Sequence, residues 1–389
     1  MSQSDLATAA GRSESWVSQV ERDVQPIERL SIIQTLADAL GVSVRELRPD
    51  AAPAPAEPEA HPESNDLDGL RVALTGHPAL GSLFEQPQPD PTPSLADFRQ
   101  RVDEAWTLAH ASSYAALSDH LAELLPGIEA AVRYAPAAER AELHALRARA
   151  YQVAAASFTR QDEADAAWVA ADRALQAAEL AGEPLEVVAG LFRMAHAFMR
   201  QRHIEQAEQA AKSAVAVMAP RAESPTCPPE ELSLLGAMNL VLAVINAREG
   251  NRKGTHEHIE RARKIAARLG EDRNDFDTEF GPTNVEIHAV STAVELGDAG
   301  FALEAAQQVD ASGLSPERQA RFLLDVARAH AQRRHVGEAA AALLEAEALA
   351  PEQIHDHHLA REVIRELTQL SGRRIPESLR ALAERSAVA

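Results

Sequence analysis

The sequence predicts an all-α protein, and three observations predict it. Apolar residues make up 46% of the 389 residues but aromatics only 4%, and Ala and Leu carry most of the apolar share. Long stretches contain neither Gly nor Pro, and from Leu95 almost to the end apolar residues recur at helical spacing. Ala, Leu, Glu, Arg and Gln lose little entropy in a helix, whereas strands favour β-branched and aromatic residues. At this length more than one folding unit is expected. The expected order is a helical module over residues 1–48, a Pro/Ala-rich linker with one short helix over 49–93, and a helical-repeat domain over 94–389.

The N-terminal elements follow from caps and turn residues. Ser2 caps a helix from Gln3, Asp5 completes a capping box, and Gly11 ends the helix. Ser13 caps a second helix from Glu14 to about Arg22. A third runs from about Ile27 to Leu40 before Gly41, and Ser43 caps a short fourth ending near Leu47. The spacing Ala7, Gly11, Val17 is that of a helix-turn-helix: a small residue where two helices pack, a turn residue, and an apolar residue beneath the recognition helix. Leu6, Ala10 and Val20 add the remaining apolar contacts.

Pro, Ala and acidic residues dominate Asp50 to Asn65, a mixture too polar to bury a core. Leu67 to Thr75 has enough aliphatic residues for one helix, and Gln86 to Pro93 is again Pro-rich. Beyond it the chain repeats itself. Ala154, Ala155, Phe158, Ala167, Ala171 and Ala174 return as Met194, Ala195, Phe198, Ala207, Ala211 and Ala214, and as Val326, Ala327, His330, Ala339, Leu343 and Ala346 before Pro351. Weaker copies run through Leu242, Ala243, Gly250 and Ala262, and through Ala289, Val290, Gly297 and Ala302. Small residues at these places let the two helices of a repeat approach closely, so the domain is expected to be a tetratricopeptide-like α-solenoid. Copies stand 37 to 48 residues apart, longer than the family standard.

Gln3-Ser4-Asp5-Leu6-Ala7, Gly11, Trp16-Val17-Ser18-Gln19-Val20-Glu21-Arg22 and Leu36 to Ser43 together resemble the phage-repressor-like XRE family of DNA-binding domains. The whole chain resembles actinobacterial regulators that join such a domain to a tetratricopeptide-like region, and Gly270 to Val285 looks like one of their hallmarks. The resemblance implies a phosphate contact for Gln3 and a major-groove face of Ser13, Ser15, Ser18 and Gln19, with Gln19 reading an adenine. It also implies a further Arg-rich helix ahead of Gln3, so the module reads as truncated. With five Arg against seven acids over residues 1–48 it carries a net −2, a poor balance for a phosphate backbone.

The expected function is therefore a DNA-binding transcription regulator whose repeat domain senses a ligand or peptide, mediates dimerisation, or both. The alternative is a helical-repeat interaction scaffold with a vestigial DNA-binding module. Expected partners are a double-stranded DNA operator, an acidic peptide or small carboxylate effector, and a second copy of the chain. A net charge of −21 confines any DNA contact to a local surface. One cysteine, Cys227, excludes an intramolecular disulfide. The absence of a secretory leader pattern and of a long apolar run leads to the expectation of a cytoplasmic protein without a membrane span. No phosphate loop or catalytic constellation is found, so neither an enzyme nor a cofactor is expected. His256 and His258 are two residues apart on different helix faces, and His355 to His358 fall in a connection. Both groups, like the acidic run Asp272, Asp275, Asp277 and Glu279, are read as solvated surface and not as metal ligands.

One candidate ligand site follows from the repeat register. Its thirteenth position is Arg160, Arg200 and Arg248 in three successive repeats, with Gln152, His196, Asn284 and Arg328 at neighbouring groove positions. Three stacked arginines would form a positive stripe suited to a carboxylate.

Overall fold

The structure is a computed structural model; it describes residues 2–22, 27, 35–37, 39–40, 42, 47, 67–75, 93–372 and 375–388. The third and fourth helices expected in the N-terminal module, and most of the linker, lie largely outside the described residues. Among the described residues the protein is all-helical, and the sole strand-like pairing is one antiparallel bridge between Arg273 and Phe280.

The N-terminal pair is α1 (Gln3–Ala10) and α2 (Glu14–Glu21). Ser2 and Asp5 form the expected capping box, with Asp5 N–H donating to Ser2 Oγ at 3.2 Å and Ser2 N–H to Asp5 Oδ2 at 3.0 Å. Gly11 takes φ +64°, the left-handed conformation that turns the chain into α2. Ala7 and Val17 are both buried at this joint, with Leu6, Trp16 and Leu36.

The short helix α3 (Asp68–Thr75) is present where the linker was expected to hold one. It does not stand apart: Leu67, Leu70 and Leu74 enter the same core as Phe98, Trp106, Leu121 and Tyr151. That core is built by α4 (Leu95–His110), α5 (Tyr114–Tyr134), α6 (Arg140–Arg160) and α7 (Ala164–Ala181).

Helix pairs then follow in order. They are α8 (Pro184–Arg200) with α9 (Ile204–Ala222), α10 (Pro229–Arg248) with α11 (Arg252–Leu269), α12 (Pro282–Glu295) with α13 (Ala299–Ala306), and α14 (Pro316–Gln332) with α15 (Val336–Leu349). The small residues that announced the repeats sit between paired helices, and Ala155, Ala167, Ala171, Ala195, Ala207, Ala211, Ala243, Ala262, Ala327, Ala339 and Ala346 are all fully buried. The first helices of successive pairs, α6, α8, α10, α12 and α14, each touch the next and form an inner layer. The chain ends with α16 (Pro351–Asp356), α17 (His358–Ser371) and α18 (Glu377–Arg385).

By length and composition α10 could cross a membrane, contrary to the expectation that no such run exists. Its apolar window is 89% buried inside the helical body, where it packs between α8 and α12. An all-round apolar helix is what the centre of a helical protein requires.

The last helices come back to the first ones. Ser112 Oγ donates to Gln353 Oε1 at 3.0 Å, the Ala115 N–H donates to Glu352 at 3.0 Å, and α14 touches α4. The inner layer thus curls until its ends meet.

Candidate functional site: an arginine-lined cavity and a docked helix

The curl encloses a cavity of about 120 Å³. The predicted Arg160, His196, Arg200, Arg248, Asn284 and Arg328 all line it, brought together from α6, α8, α10, α12 and α14. Gln152 does not. Its side chain is buried between α6 and α8, where it donates to Glu186 Oε2 at 2.9 Å, because its place on α6 is two turns before Arg160 and faces the next helix.

Sequence reasoning missed Arg193, Arg318 and Arg321, which also line the cavity. The signal was present: Arg193, His196 and Arg200 stand three and four residues apart, and Arg318, Arg321 and Arg328 three and seven, which keeps each set on one helix face. Of these six, Arg200 stands at the thirteenth repeat position and His196 and Arg328 at neighbouring groove positions, whereas Arg193, Arg318 and Arg321 lie earlier on the same helices.

The arginines are not equivalent. Arg160 is clamped to Glu317 by two hydrogen bonds, at 2.7 and 3.1 Å. Arg328 is held by Glu295 at 2.7 Å and Asp325 at 2.9 Å. Arg318 faces Glu279 at 3.6 Å, and Arg321 lies 3.9 Å from Glu317 with 42% of its side chain accessible. Arg248 donates to the Met199 carbonyl. Arg193 donates only to the backbone carbonyls of Phe276 and Asp277, at 3.2 and 2.7 Å, and lies over the Trp106 and Phe192 rings. Arg200 donates to His357 Nε2 at 3.1 Å and to His358 Nδ1 and Asp162, each at 3.4 Å.

An arginine has no acceptor, so the Nε2 of His357 that receives Arg200 is unprotonated and its Nδ1 carries the hydrogen. His357 is buried, not the solvated surface group expected, and burial followed by the nearby Arg200 holds its pKa far below the ordinary value. Burial and Arg318 push His288 down to about 3, and burial with Arg321 and Arg193 pushes His196 well down. Arg193 itself is pushed down to about 9 by burial and by Arg160, and Arg200 to about 10 by burial and by Arg248. In each case burial is the larger cause and the neighbouring arginines add to it.

The Gly270 to Val285 segment forms part of the wall. Its carbonyls at Phe276 and Asp277 receive Arg193, and Glu279 accepts from the Ser315 N–H and hydroxyl at 3.0 Å each. Asp272 accepts from the Thr283 N–H and Asp275 from Arg273, so the acidic run is engaged in holding the loop. Phe280 at the end of the bridge is fully buried against Gly236 of α10, whose missing side chain leaves room for the ring.

The second feature is where α2 sits. Each turn that joins the two helices of a pair has one residue in the left-handed region: Ser112, Asp162, Arg202, Gly250, Gly297 and Arg334. Ser, Asp and Arg therefore satisfy that conformation, and glycine is not required by φ alone. Within helix pairs the two turns that use glycine are those on which α2 rests; Gly182 and Gly270 are left-handed between pairs, and nothing would meet a Cβ there. A Cβ on Gly250 would stand 2.6 Å from Trp16 Cδ1, and one on Gly297 would overlap both Gln19 Nε2 and Ser15 Oγ. The two turns are tied to each other by the Arg252–Asp298 ion pair.

In this arrangement the expected DNA-reading face is largely covered. Gln19 is buried against the Gly297 turn and Ser15 stands beside it, because α2 turns the side expected to enter a groove onto the helical body. Ser13 is spent on capping α2, accepting from the Trp16 N–H at 3.1 Å. Ser18 is half-buried, and Gln3 is exposed and donates to Glu21 at 2.5 Å.

No family model matches the chain, and no curated protein matches it.

Proposed function

We propose that the protein is a ligand-responsive, DNA-binding transcription regulator: a helix-turn-helix module held by a tetratricopeptide-like sensor domain that also joins two copies of the chain. The observation that carries this reading is the docking of α2 on Gly250 and Gly297, the two glycines among the turns that join the helices of a pair. These turns follow α10 and α12, which also line the cavity, so one pair of helices serves both features. The docked form is the state that does not read DNA, since Gln19 and Ser15 are covered.

Gly297→Asn tests it. Asn tolerates the left-handed turn, yet its Cβ cannot share the space of Gln19 and Ser15. Selection from random duplexes should return a defined sequence that the full-length variant binds at least tenfold more tightly than the wild type. Gln19→Ala in that background should cost about 1 to 3 kcal/mol at one base position. Sequence-blind, salt-sensitive binding by both forms would instead support the scaffold reading, which the coverage of Gln19 and the net −2 of residues 1–48 favour.

A further inference from the structure

Most polar groups of the cavity wall are spent on one another, but Arg321, His196, His288 and Ser291 line it with hydrogen-bonding atoms unused. Among the described residues Arg321 makes no hydrogen bond, and Glu317 stands 3.9 Å away. The Nδ1–H of His288 donates to the Asn284 carbonyl at 2.9 Å, and among the described residues that is its single hydrogen bond. A carbonyl can only accept and the ring is neutral, so His288 Nε2 is a bare acceptor. His196 stands edge-on to Phe192, with 4.6 Å between ring centres, and among the described residues neither of its nitrogens is hydrogen-bonded. The same holds for the Ser291 hydroxyl.

These atoms face one space. After burial, Arg321 has the largest effect on the His196 pKa, and it acts on His288 as well. His288 and Ser291 stand three residues apart on one face of α12. One turn before them, Asn284 is buried with its Oδ1 unpartnered; its amide nitrogen donates to the Glu279 carbonyl, which fixes the oxygen as the end left over. The α12 wall therefore accepts hydrogens, and Arg321 on α14 gives them. Phe192, Leu240, Val241, Val244 and Ile287 make the rest of the wall apolar. A closed apolar cavity of ~150 Å³ holds benzene, so a cavity of about 120 Å³ suits a molecule near the size of one six-membered ring.

We infer that this cavity binds a small neutral cyclic amide, whose carbonyl accepts from Arg321, whose N–H donates to His288 Nε2 and whose ring lies on the apolar wall. A carboxylate, which the arginine register alone suggests, can accept from Arg321 but has no hydrogen to give His288. An ammonium has the hydrogen, but burial and the arginines that keep His196 and His288 neutral oppose a second buried cation. A lactam carries donor and acceptor on adjacent atoms without a charge, and closing them into a ring keeps the molecule within the volume. The inference rests on the sensor reading above and names the class of effector.

Calorimetric titration of the full chain with δ-valerolactam tests it, with δ-valerolactone, propionate and benzene as companions. The lactone keeps the ring and the carbonyl and has oxygen where the lactam has N–H. The lactam should bind one per chain, at least tenfold more tightly than each companion. His288→Leu should bring the lactam down to the level of the lactone and leave the lactone unchanged, a change of ratio that lost packing alone does not produce. Arg221→Gln, a surface pair with Glu231, should alter neither. Ser291→Phe fills the cavity, and it should abolish lactam binding even if His288→Leu proves unfolded by circular dichroism. Equal binding of the lactone overturns the contact with His288, and equal or tighter binding of propionate overturns the neutral ligand. Equal binding of benzene overturns both polar contacts; no binding of any probe, or lactam binding that survives Ser291→Phe, overturns the site. The titration contains no DNA. Binding of the lactam with sequence-blind Gly297→Asn keeps this site and rejects the regulator, and the reverse pattern does the opposite.

Discussion

Acidification from about pH 7.5 to about pH 5 should remove stability through three histidines of the cavity, His196, His288 and His357. All three have folded pKa values below their unfolded value, and His288 is held at about 3. The unfolded chain, with histidine pKa values near ~6.5, therefore binds protons that the folded chain refuses, and stability falls as pH falls. The window opens at the unfolded value and for His288 extends down to about 3. At about pH 5 each site that stays neutral costs RT ln(1 + 10^1.5), or ~2 kcal/mol, so three cost ~6 kcal/mol at most. His196 and His288 keep part of their surface on the cavity, and water there reduces the figure to ~3 to 6 kcal/mol. Asp277 and Glu186, whose pKa values burial raises, act with the opposite sign, but near the carboxylate range. Urea unfolding of the wild type and of His288→Gln at stepped pH reads the effect, and the variant should lose ~2 kcal/mol less over the interval. A wild type whose stability is flat between these pH values, or a variant with the same slope, refutes the buried neutral histidines.

Two further outcomes concern packing. Gly236→Ala should destabilise the protein by ~1 to 3 kcal/mol in thermal unfolding, since its Cβ has no room beside Phe280, and Phe280→Leu in the same chain should recover much of the loss. Glu317→Gln should cost ~3 to 5 kcal/mol by leaving Arg160 without its carboxylate, and hydrogen exchange should rise along the seam at Ser112 and Gln353; unchanged exchange there would show that the seam does not depend on this pair.

Much of this was legible in the chain because it is local. Ser2 with Asp5, Gly11 and Ser13 each act within one turn of themselves, so caps and turns could be read directly. The small residues of the repeats were legible for a related reason, since helix pairing imposes a short period on Ala155, Ala167 and their counterparts. The cavity was half legible. Register placed Arg160, Arg200 and Arg248 together, but the partner that neutralises Arg160, Glu317, comes from the far end of the curl, and no period predicts it, whereas Arg328 meets Asp325 on its own helix and Glu295 on the adjacent one. The least legible feature was the seat of α2. Gly250 and Gly297 fit the repeat as turn residues, and nothing near them in sequence reveals that their bare backbone is occupied by Trp16, Ser15 and Gln19.

The two features share their supports in a way that constrains how they could act on each other. Arg248 is the last residue of α10 and Glu295 the last of α12, each two residues before the glycine on which α2 rests. Both side chains line the cavity, and Arg248 lowers the Glu295 pKa behind Arg328. A ligand of the cavity that displaces Arg248 therefore acts on the end of the helix that carries the Trp16 seat, while Glu295 stays with Arg328 and holds the Gln19 seat. The contacts at both glycines have no spare room, and the Arg252–Asp298 pair resists separation of the turns, so a small relative shift must either break that pair or lift one side of α2. Under the proposed function this coupling is reciprocal: whatever factor the ligand contributes to operator affinity, operator DNA contributes to ligand affinity. Arg252→Ala should then weaken the transmission in both directions while leaving the cavity and its arginines unaltered.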